Sequence, residues 1–589
     1  MPGRASGMLK GLWALPPVGL ALLLGGAVLL AGAGTSAAPL MLALLAVPAL
    51  VYVAVALGSR GRTPEDLLVA DRRVGALPNG LATAADWVSA AMFVGLAGTL
   101  YVQGSSGLAF LLGWAGGLAL AALAIAPGLR RSGAASVPDF LAGRFGGSVV
   151  RVAAVTVLAW CSFAFLMAQL AGAAAVATRF LGLPFGAAVW LGALLVLACT
   201  LPGGLRSVTW TQVAQFAAIA TAYLVPAAVI SAAAPEGAIP LAEVMTGAAE
   251  SGGRTPLNFI SLALALALGT AALPHLLQRF LAAPSAGSAR RAGGWALLFV
   301  VAIYLTAPLY AAFARSEIQG SVVGARVDSL DGARALPRWV YEYGRLGMVS
   351  VCGKLPTTAG AVLDACRSAH GGASNPAPLA AGDVTIHPDL VVMAAPDMAG
   401  LPPVFGVLLA AGALAAALST ASGLVATLGA AAGHDVWFRL LDPRAPAARR
   451  VRALRLSMAG LTALAAYATA GAPFAMLTLV AWSFSLAAAG LLPALLLGLW
   501  WRRATAAGAV AGMVTGFGTA LWYLIRTEML GAAPLLGIDG IAAGAFGVPA
   551  GLLAAVAVSL LTERGAEVRA QHGGADAPGR PGAARIPAE

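Results

Sequence analysis

Charged residues are scarce: Asp, Glu, Lys and Arg make up only 10% of the 589-residue chain, against about 25% in an average soluble domain. That scarcity excludes an ordinary water-soluble globule. The chain also lacks the spacings that announce the commoner chemistries. There is no G-x-S-x-G elbow, no H-E-x-x-H and no phosphate loop, which argues against an enzyme of the corresponding hydrolase, metalloprotease and nucleotide-using classes. No zinc-finger spacing and no stripe of interleaved basic and aromatic residues occurs, so the formal charge of +12 needs no nucleic acid to explain it.

What is present is apolar surface. Hydrophobic residues make up 60% of the chain and mean hydropathy is +0.86. Runs of about 20 apolar residues recur from end to end, as membrane helices require; barrel strands would alternate apolar and polar over about ten residues. Fourteen spans are expected, at 11–34, 38–58, 77–101, 106–127, 149–178, 184–204, 208–232, 256–281, 292–314, 400–430, 453–472, 474–500, 505–526 and 540–562. Arginine clusters follow the even-numbered spans: Arg60, Arg62, Arg72 and Arg73 after the second, Arg130, Arg131 and Arg144 after the fourth, Arg206 after the sixth. The same phase continues through Arg279, Arg290 and Arg291, then Arg439, Arg444, Arg449 and Arg450, then Arg502 and Arg503, and finally Arg564. By the positive-inside rule those loops, and both termini, are cytoplasmic, in a bacterial inner (plasma) membrane.

Span one has two readings, a retained helix, which its length favours, or a signal peptide ending in AGAGTSAAP. The segments expected are 1–36 as that span, 37–76 as a peripheral span and loop, 77–232 and 233–503 as two halves, 504–564 as two further spans and 565–589 as a disordered tail. The large hydrophilic insertion, 315–399, falls on the outer face. It holds Cys352 and Cys366, whereas Cys161 and Cys199 lie inside spans. An oxidising compartment therefore meets the first pair alone, and a Cys352–Cys366 bridge is expected, the alternative being two free thiols on a mobile loop.

Chemistry is concentrated in three spans. In span three, LATAADWVSAAMFVG at 81–95, Asp86 sits at a depth where a carboxylate costs roughly 2.5–3.5 kcal/mol on insertion scales. It is either functional or a structural carboxylate, protonated or paired with a neighbouring helix. Small residues Ala82, Ala84, Ala85, Ala90 and Ala91 surround Asp86 and Ser89 and allow close backbone approach. Unwinding near Ala85 to Val88 would free carbonyls of the kind that coordinate sodium at the membrane midplane.

Span ten carries GALAAALSTASGL at 412–424. The Ala416 carbonyl and the Ser419 and Thr420 hydroxyls converge on one patch of helix, with Ser422 close by. With two carbonyls from span three they would form a five-oxygen cage; alternatively the hydroxyls bond back one turn, as Ser and Thr commonly do. Span eight, LALALALGTAALPHLLQRF at 262–280, has a natural break at Gly269, Thr270 and Pro274, since proline deletes a backbone hydrogen bond. His275 follows as a satisfied polar contact or a substrate ligand, and Arg279 reads as an interfacial anchor. No Lys or Arg is then left well inside a span to neutralise an anionic solute. Spans three and eight stand five apart and so cross in opposite directions, the pattern of an inverted-repeat carrier with its site between two interrupted helices.

At these residues the chain resembles the sodium:solute symporter family, particularly its acetate-permease branch. The resemblance is carried by AADWVSAAMFVG at 84–95, SVPDFLAGRFG at 136–146, GGLRSVTWTQVAQ at 203–215, GTAALPHLLQRFLAAPS at 269–285, ALSTASGLVATL at 417–428 and HD at 434–435, and spans about 70–562. It implies an all-α membrane protein of the leucine-transporter type, five helices and their inverted copy, with extra flanking helices to make thirteen or fourteen. It places sodium on the carbonyls of Ala85, Val88 and Ala416 and the hydroxyls of Ser419 and Thr420. It puts substrate beside Asp86, Trp87, Ser89, Thr270 and His275, with Trp160, Phe163 and Gln169 from span five. The activity implied is sodium-coupled import of a small organic solute, a short monocarboxylate such as acetate, with no cofactor beyond the coupling ion. Proline, a sugar or another small solute is the alternative substrate, and a transporter-like sensor the more remote one. The partners are thus sodium, solute and lipid bilayer, while no signal fixes the oligomeric state. The outer insertion and the extra first span depart from the acetate-permease pattern.

Overall fold

A computed structural model describes residues 37–233, 254–369, 378–471 and 476–572. Span one, with its choice between helix and signal peptide, lies outside the described residues. Every other span is helical. Span two is α1, Ala37–Gly58, followed by a short loop helix α2, Pro64–Val69. Span three divides into α3, Ala76–Trp87, and α4, Ala90–Gln103. The chain turns at Gly104 (φ 53°, ψ −130°) into α5, Leu108–Leu120, which runs on helically to Arg131. Then come the loop helix α6, Val137–Phe145, α7, Ser148–Leu181, α8, Phe185–Thr200, and α9, Leu205–Ala233.

Span eight also divides, into α10, Pro256–Ala272, and α11, Pro274–Leu281, bent by 42°. After these come α12, Ala286–Tyr304, α13, Ala307–Ser321, α14, Val404–Ala430, α15, Ala447–Gly471, α16, Met476–Trp500, α17, Ala506–Leu524, and α18, Gly544–His572. Among the described residues, eight helical stretches are long and apolar enough to cross a bilayer, nine with the bent pair. The other spans are helical but short, like α8, or rich in arginine, like α15. Helix α18 continues to His572, eight residues into the tail read as disordered (565 to 572). Glu, Ala and Arg in that stretch are good helix formers.

The layers sort by burial. Over their most apolar windows α14 and α16 are 83% and 89% buried, and the stretch containing α18 39%, so the first two form the centre and the last faces lipid. Glycine lets the outer pair close up. Gly508, Gly512 and Gly516 recur every fourth residue along α17, and a Cβ on Gly512 would stand 2.7 Å from that of Ala555 on α18.

The insertion folds as a unit. Strand β1, Val349–Val351, pairs antiparallel with β2, Val384–Ile386, setting Val349 opposite Ile386. Around them stand helices Leu330–Arg334, Arg338–Gly344, Ala359–Ala369 and Leu390–Met398. The Cys352 and Cys366 sulfurs are joined at 2.02 Å. The unit docks on α4 at Gly98, where a Cβ would come within 1.9 Å of the Pro388 carbonyl oxygen.

Candidate functional site

The α3 helix ends because Val88 (φ −73°, ψ 79°) and Ser89 (φ −73°, ψ 167°) leave the helical region. Ser89 then caps α4, its hydroxyl accepting the Met92 N–H at 3.4 Å. The break redirects two donors. The Ser89 N–H turns back to the Trp87 carbonyl at 2.8 Å, and the Ala90 N–H reaches Gln169 Oε1 on α7 at 3.1 Å. The carbonyls of Ala85 and Asp86, which those N–H groups would have satisfied in an unbroken helix, face α14 instead.

There the span-ten hydroxyls meet them. Ser419 donates to the Ala85 carbonyl and stands 3.0 Å from the Ala416 carbonyl. Thr420 donates to the Asp86 carbonyl at 2.8 Å. The two readings of these hydroxyls are therefore compatible, since Ser419 reaches back one turn and across to the broken helix at once. Thr420 bonds Asp86 rather than Val88, which sits buried at the break itself. Gln212 of α9 donates to the Ser419 carbonyl at 2.7 Å and fixes the patch from a third side.

The Asp86 carboxylate lies against Gly423, where a Cβ would come within 2.2 Å of Oδ1. Its partner corrects the reading of Arg279 as an interfacial anchor. Arg279 is 0% exposed, and its Nε stands 3.1 Å from Asp86 Oδ2. Nη1 donates to the Thr209 hydroxyl at 2.8 Å, and the Arg279 carbonyl accepts from Asn79 Nδ2 at 2.9 Å. A cation thus does lie inside the protein, on α11 just past the 42° bend. Arg279 Nη2 and Asp86 Oδ1 remain without hydrogen-bond partners among the described residues.

Beside the break lies an aromatic cluster. Phe484 of α16 touches Trp87 and Phe165 at ring separations of 5.5 and 5.8 Å, and Trp87 Nε1 donates to the Tyr304 hydroxyl at 2.9 Å. His275 meets Phe165 edge-on at 5.5 Å, and neither of its ring nitrogens has a partner among the described residues. Gln169 Nε2, Ser162 Oγ and Trp114 Nε1 share that condition.

The other sequence candidates divide. Phe165 meets the cluster and Gln169 the break, and Ser162 of the same helix is buried, whereas Trp160 is 56% exposed and Phe163 half-buried. The structure does not bring Trp160 to the site, because α7 is apolar on all sides and its sequence does not mark the inward face. Thr270 is buried, bonded back to the Leu266 carbonyl at 2.7 Å and pressed against Gly117 of α5. The break falls at Leu273 (φ −61°, ψ 118°) before Pro274. Gly269 lies inside α10 instead, where a Cβ would meet the Phe484 carbonyl oxygen at 2.5 Å. Phe165, Phe484, Thr209 and Gln212 were not singled out as site residues, although Thr209, Gln212 and Gln215 recur every third residue along one side of α9.

Two further motifs meet at the α14 C-terminus. Asp435 accepts from Ser136 Oγ at 2.7 Å and pairs with Arg151 at 2.7 Å; Arg151 also holds Asp139 at 3.0 Å, as does Arg439 at 3.2 Å. Gln278 Nε2 donates to the Leu68 and Ala135 carbonyls, both at 2.7 Å, and so ties α11 to α2 and to the segment before α6.

Two helices, each broken at the core and packed on a buried scaffold helix carrying paired hydroxyls, define a secondary transporter of the leucine-transporter fold. The chain belongs to the sodium:solute symporter family, whose model matches residues 67–340 and 372–516. It is 34% identical to an uncharacterized symporter of Cupriavidus necator, over 88% of this chain and 91% of that one. It is 29% identical to a monocarboxylic acid transporter of Corynebacterium glutamicum, over 75% of each. Among solved structures, a sodium-coupled sialic acid symporter in a substrate-bound outward-open state superposes with a TM-score of 0.64 at 15% identity, covering 88% of this chain and 97% of that chain. The protein is a membrane-embedded symporter and not an enzyme.

Proposed function

We propose that this symporter couples sodium entry to import of a small organic solute, a short monocarboxylate such as acetate, by alternating access. The carrying observation is the meeting, across the α3–α14 contact, of the Ser419 hydroxyl with the Ala85 and Ala416 carbonyls and of the Thr420 hydroxyl with the Asp86 carbonyl. Hard oxygen donors without a net charge of their own suit a monovalent cation, which Val88 at the break would help enclose. Sodium bridging α3 to α14 favours the outward-open state that accepts solute, and so couples the two. An inside-negative potential adds about 2.3 kcal/mol per charge per 100 mV. The arginine-rich loops support a bacterial inner-membrane location with a cytoplasmic C-terminus, and the order of the spans supports two halves at residues 77–232 and 233–503.

The solute occupies the aromatic cluster beside the break, bounded by Trp87, Phe165, His275 and Phe484. His275, Gln169 Nε2 and the free Nη2 of Arg279 are the donors for its carboxylate, with the α4 N-terminus at Ser89 adding a favourable field. A relative named as a monocarboxylic acid transporter supports this choice. The test is [14C]acetate uptake into proteoliposomes under an inward sodium gradient. Uptake should exceed the potassium control and be suppressed by unlabelled short monocarboxylates but not by proline or glucose. Suppression by proline or glucose alone would reassign the substrate.

A further inference from the structure

A pocket lies where the insertion meets the scaffold, lined by none of the residues at the α3 break. Its volume is about 640 Å³, within the range of small-molecule sites, about 300–1,000 Å³. Its walls come from three places: Arg179 and Phe180 at the end of α7, the insertion helix Arg338–Gly344 with Arg345, and the segment from Asp397 to Val407 leading into α14. The family match stops at residue 340 and resumes at 372, so Glu342, Tyr343 and Arg345 stand in the stretch between the matched parts. The insertion, with Asp397 from its last helix, thus completes a pocket whose remaining walls, Arg179, Phe180 and the residues from Gly400 to Val407, belong to the transporter body.

The lining is built rather than incidental. The Arg179 guanidinium stands over the Phe180 and Tyr343 rings, 5.5 and 5.3 Å from their centroids. The Tyr343 hydroxyl donates to Asp397 at 2.7 Å, and Arg338 pairs with Glu342 at 2.7 Å. Trp339 is 4% exposed, and its Nε1 has no hydrogen-bond partner among the described residues. A buried N–H left unmatched is costly unless a ligand accepts from it. Counting the lining charges, Arg179, Arg338 and Arg345 give three positive and Glu342 and Asp397 two negative, an excess of one positive charge. The remaining surface is aromatic and aliphatic: Phe180, Trp339, Leu401 and Val407.

We propose that this pocket is a second binding site, for a monocarboxylate with an apolar body larger than acetate. Trp339 Nε1 and the Arg179 and Arg345 guanidinium groups hold the carboxylate, and the aromatic wall covers the body. A single negative charge matches the excess, and the volume exceeds what acetate fills. The site is independent of the sodium cage and does not rest on the coupling mechanism proposed above.

The test is equilibrium binding of [14C]hexanoate to the full-length protein in phosphatidylcholine nanodiscs, in potassium buffer without sodium. Saturable binding is expected, weakened about tenfold or more by Trp339→Phe, which removes the N–H, and by Arg179→Gln. Arg345→Gln, on the exposed rim, guards against misfolding and should weaken binding in the same direction. Each variant is first checked for a monodisperse elution profile and a thermal midpoint like that of the parent. No saturable sodium-free binding, or binding unchanged in all three variants, overturns the proposal. Abolition of hexanoate binding by phosphatidylglycerol in the discs also overturns it, because the pocket would then belong to a lipid headgroup.

Discussion

Asp86 and Arg279 are each 0% exposed, and at such burial removing one partner is far worse than removing both. An uncompensated buried charge costs about 3–5 kcal/mol, whereas a neutral pair can approach the parent in stability. Asp86→Asn and Arg279→Gln should therefore each lower the thermal midpoint of the purified protein sharply, and the double variant should recover most of the loss. Additive losses would show that the two side chains do not act as a pair. Gly423→Ala probes the same spot from α14: a Cβ 2.2 Å from Asp86 Oδ1 must push the carboxylate off its partner, so solute uptake should fall severalfold while expression persists. Sequence reading is strongest at this scale where a polar residue stands alone in an apolar run, as Asp86, Ser419 and Thr420 do. It fails at Arg279, whose place near the end of a span says nothing of its burial and its pairing with Asp86. It fails again at Trp160, because the aromatic residues of an all-round apolar helix do not declare which face is inside.

At the scale of elements, the two breaks have different local causes. Span eight is stopped by Pro274, legible in the sequence, although the kink falls at Leu273 rather than at Gly269, whose missing side chain instead admits the α16 backbone. Span three has no proline. There Ser89 as an N-cap and Gln169 as a surrogate acceptor for the Ala90 N–H sustain the interruption, and the second of these lies 79 residues away. Loop helix α2 shows a similar division of labour. Asp66 closes a capping box with Thr63 and pairs with Arg206 at 2.9 Å. Burial by itself would raise the Asp66 pKa, but the Arg62 N–H, the Arg206 guanidinium and the Thr63 N–H outweigh it and hold the carboxyl below its ordinary value. With the folded value below the unfolded one, the stability Asp66 confers is complete above about pH 4 and is lost as pH falls through the folded value. The thermal midpoint of Asp66→Asn should trail the parent at pH 7, and the gap should close on acidification below about pH 4. A gap that stays constant with pH would contradict this account of the loop.

Over the whole molecule, one set of contacts ties α11 to α3, to α2 and to the segment before α6: Asp86 to Arg279, Asn79 to the Arg279 carbonyl, and Gln278 to the Leu68 and Ala135 carbonyls. Any movement of α11 away from α3 must part these contacts, while the Asp139–Arg151–Asp435 group keeps α6, α7 and the segment just after α14 together. The family fold was legible from the order of the motifs and the spacing of spans. The ordered insertion was not, because its small sheet and packed tryptophan and tyrosine depend on pairings between Val349 and Ile386 that short-range patterns do not announce. The central claim is that sodium is held between the broken α3 and the hydroxyls of α14. Equilibrium binding of 22Na+ to purified protein, parent against the Ser419→Ala/Thr420→Ala double variant, tests it most directly. Saturable binding in the parent that disappears in a folded double variant is the predicted result; equal binding by both would contradict it.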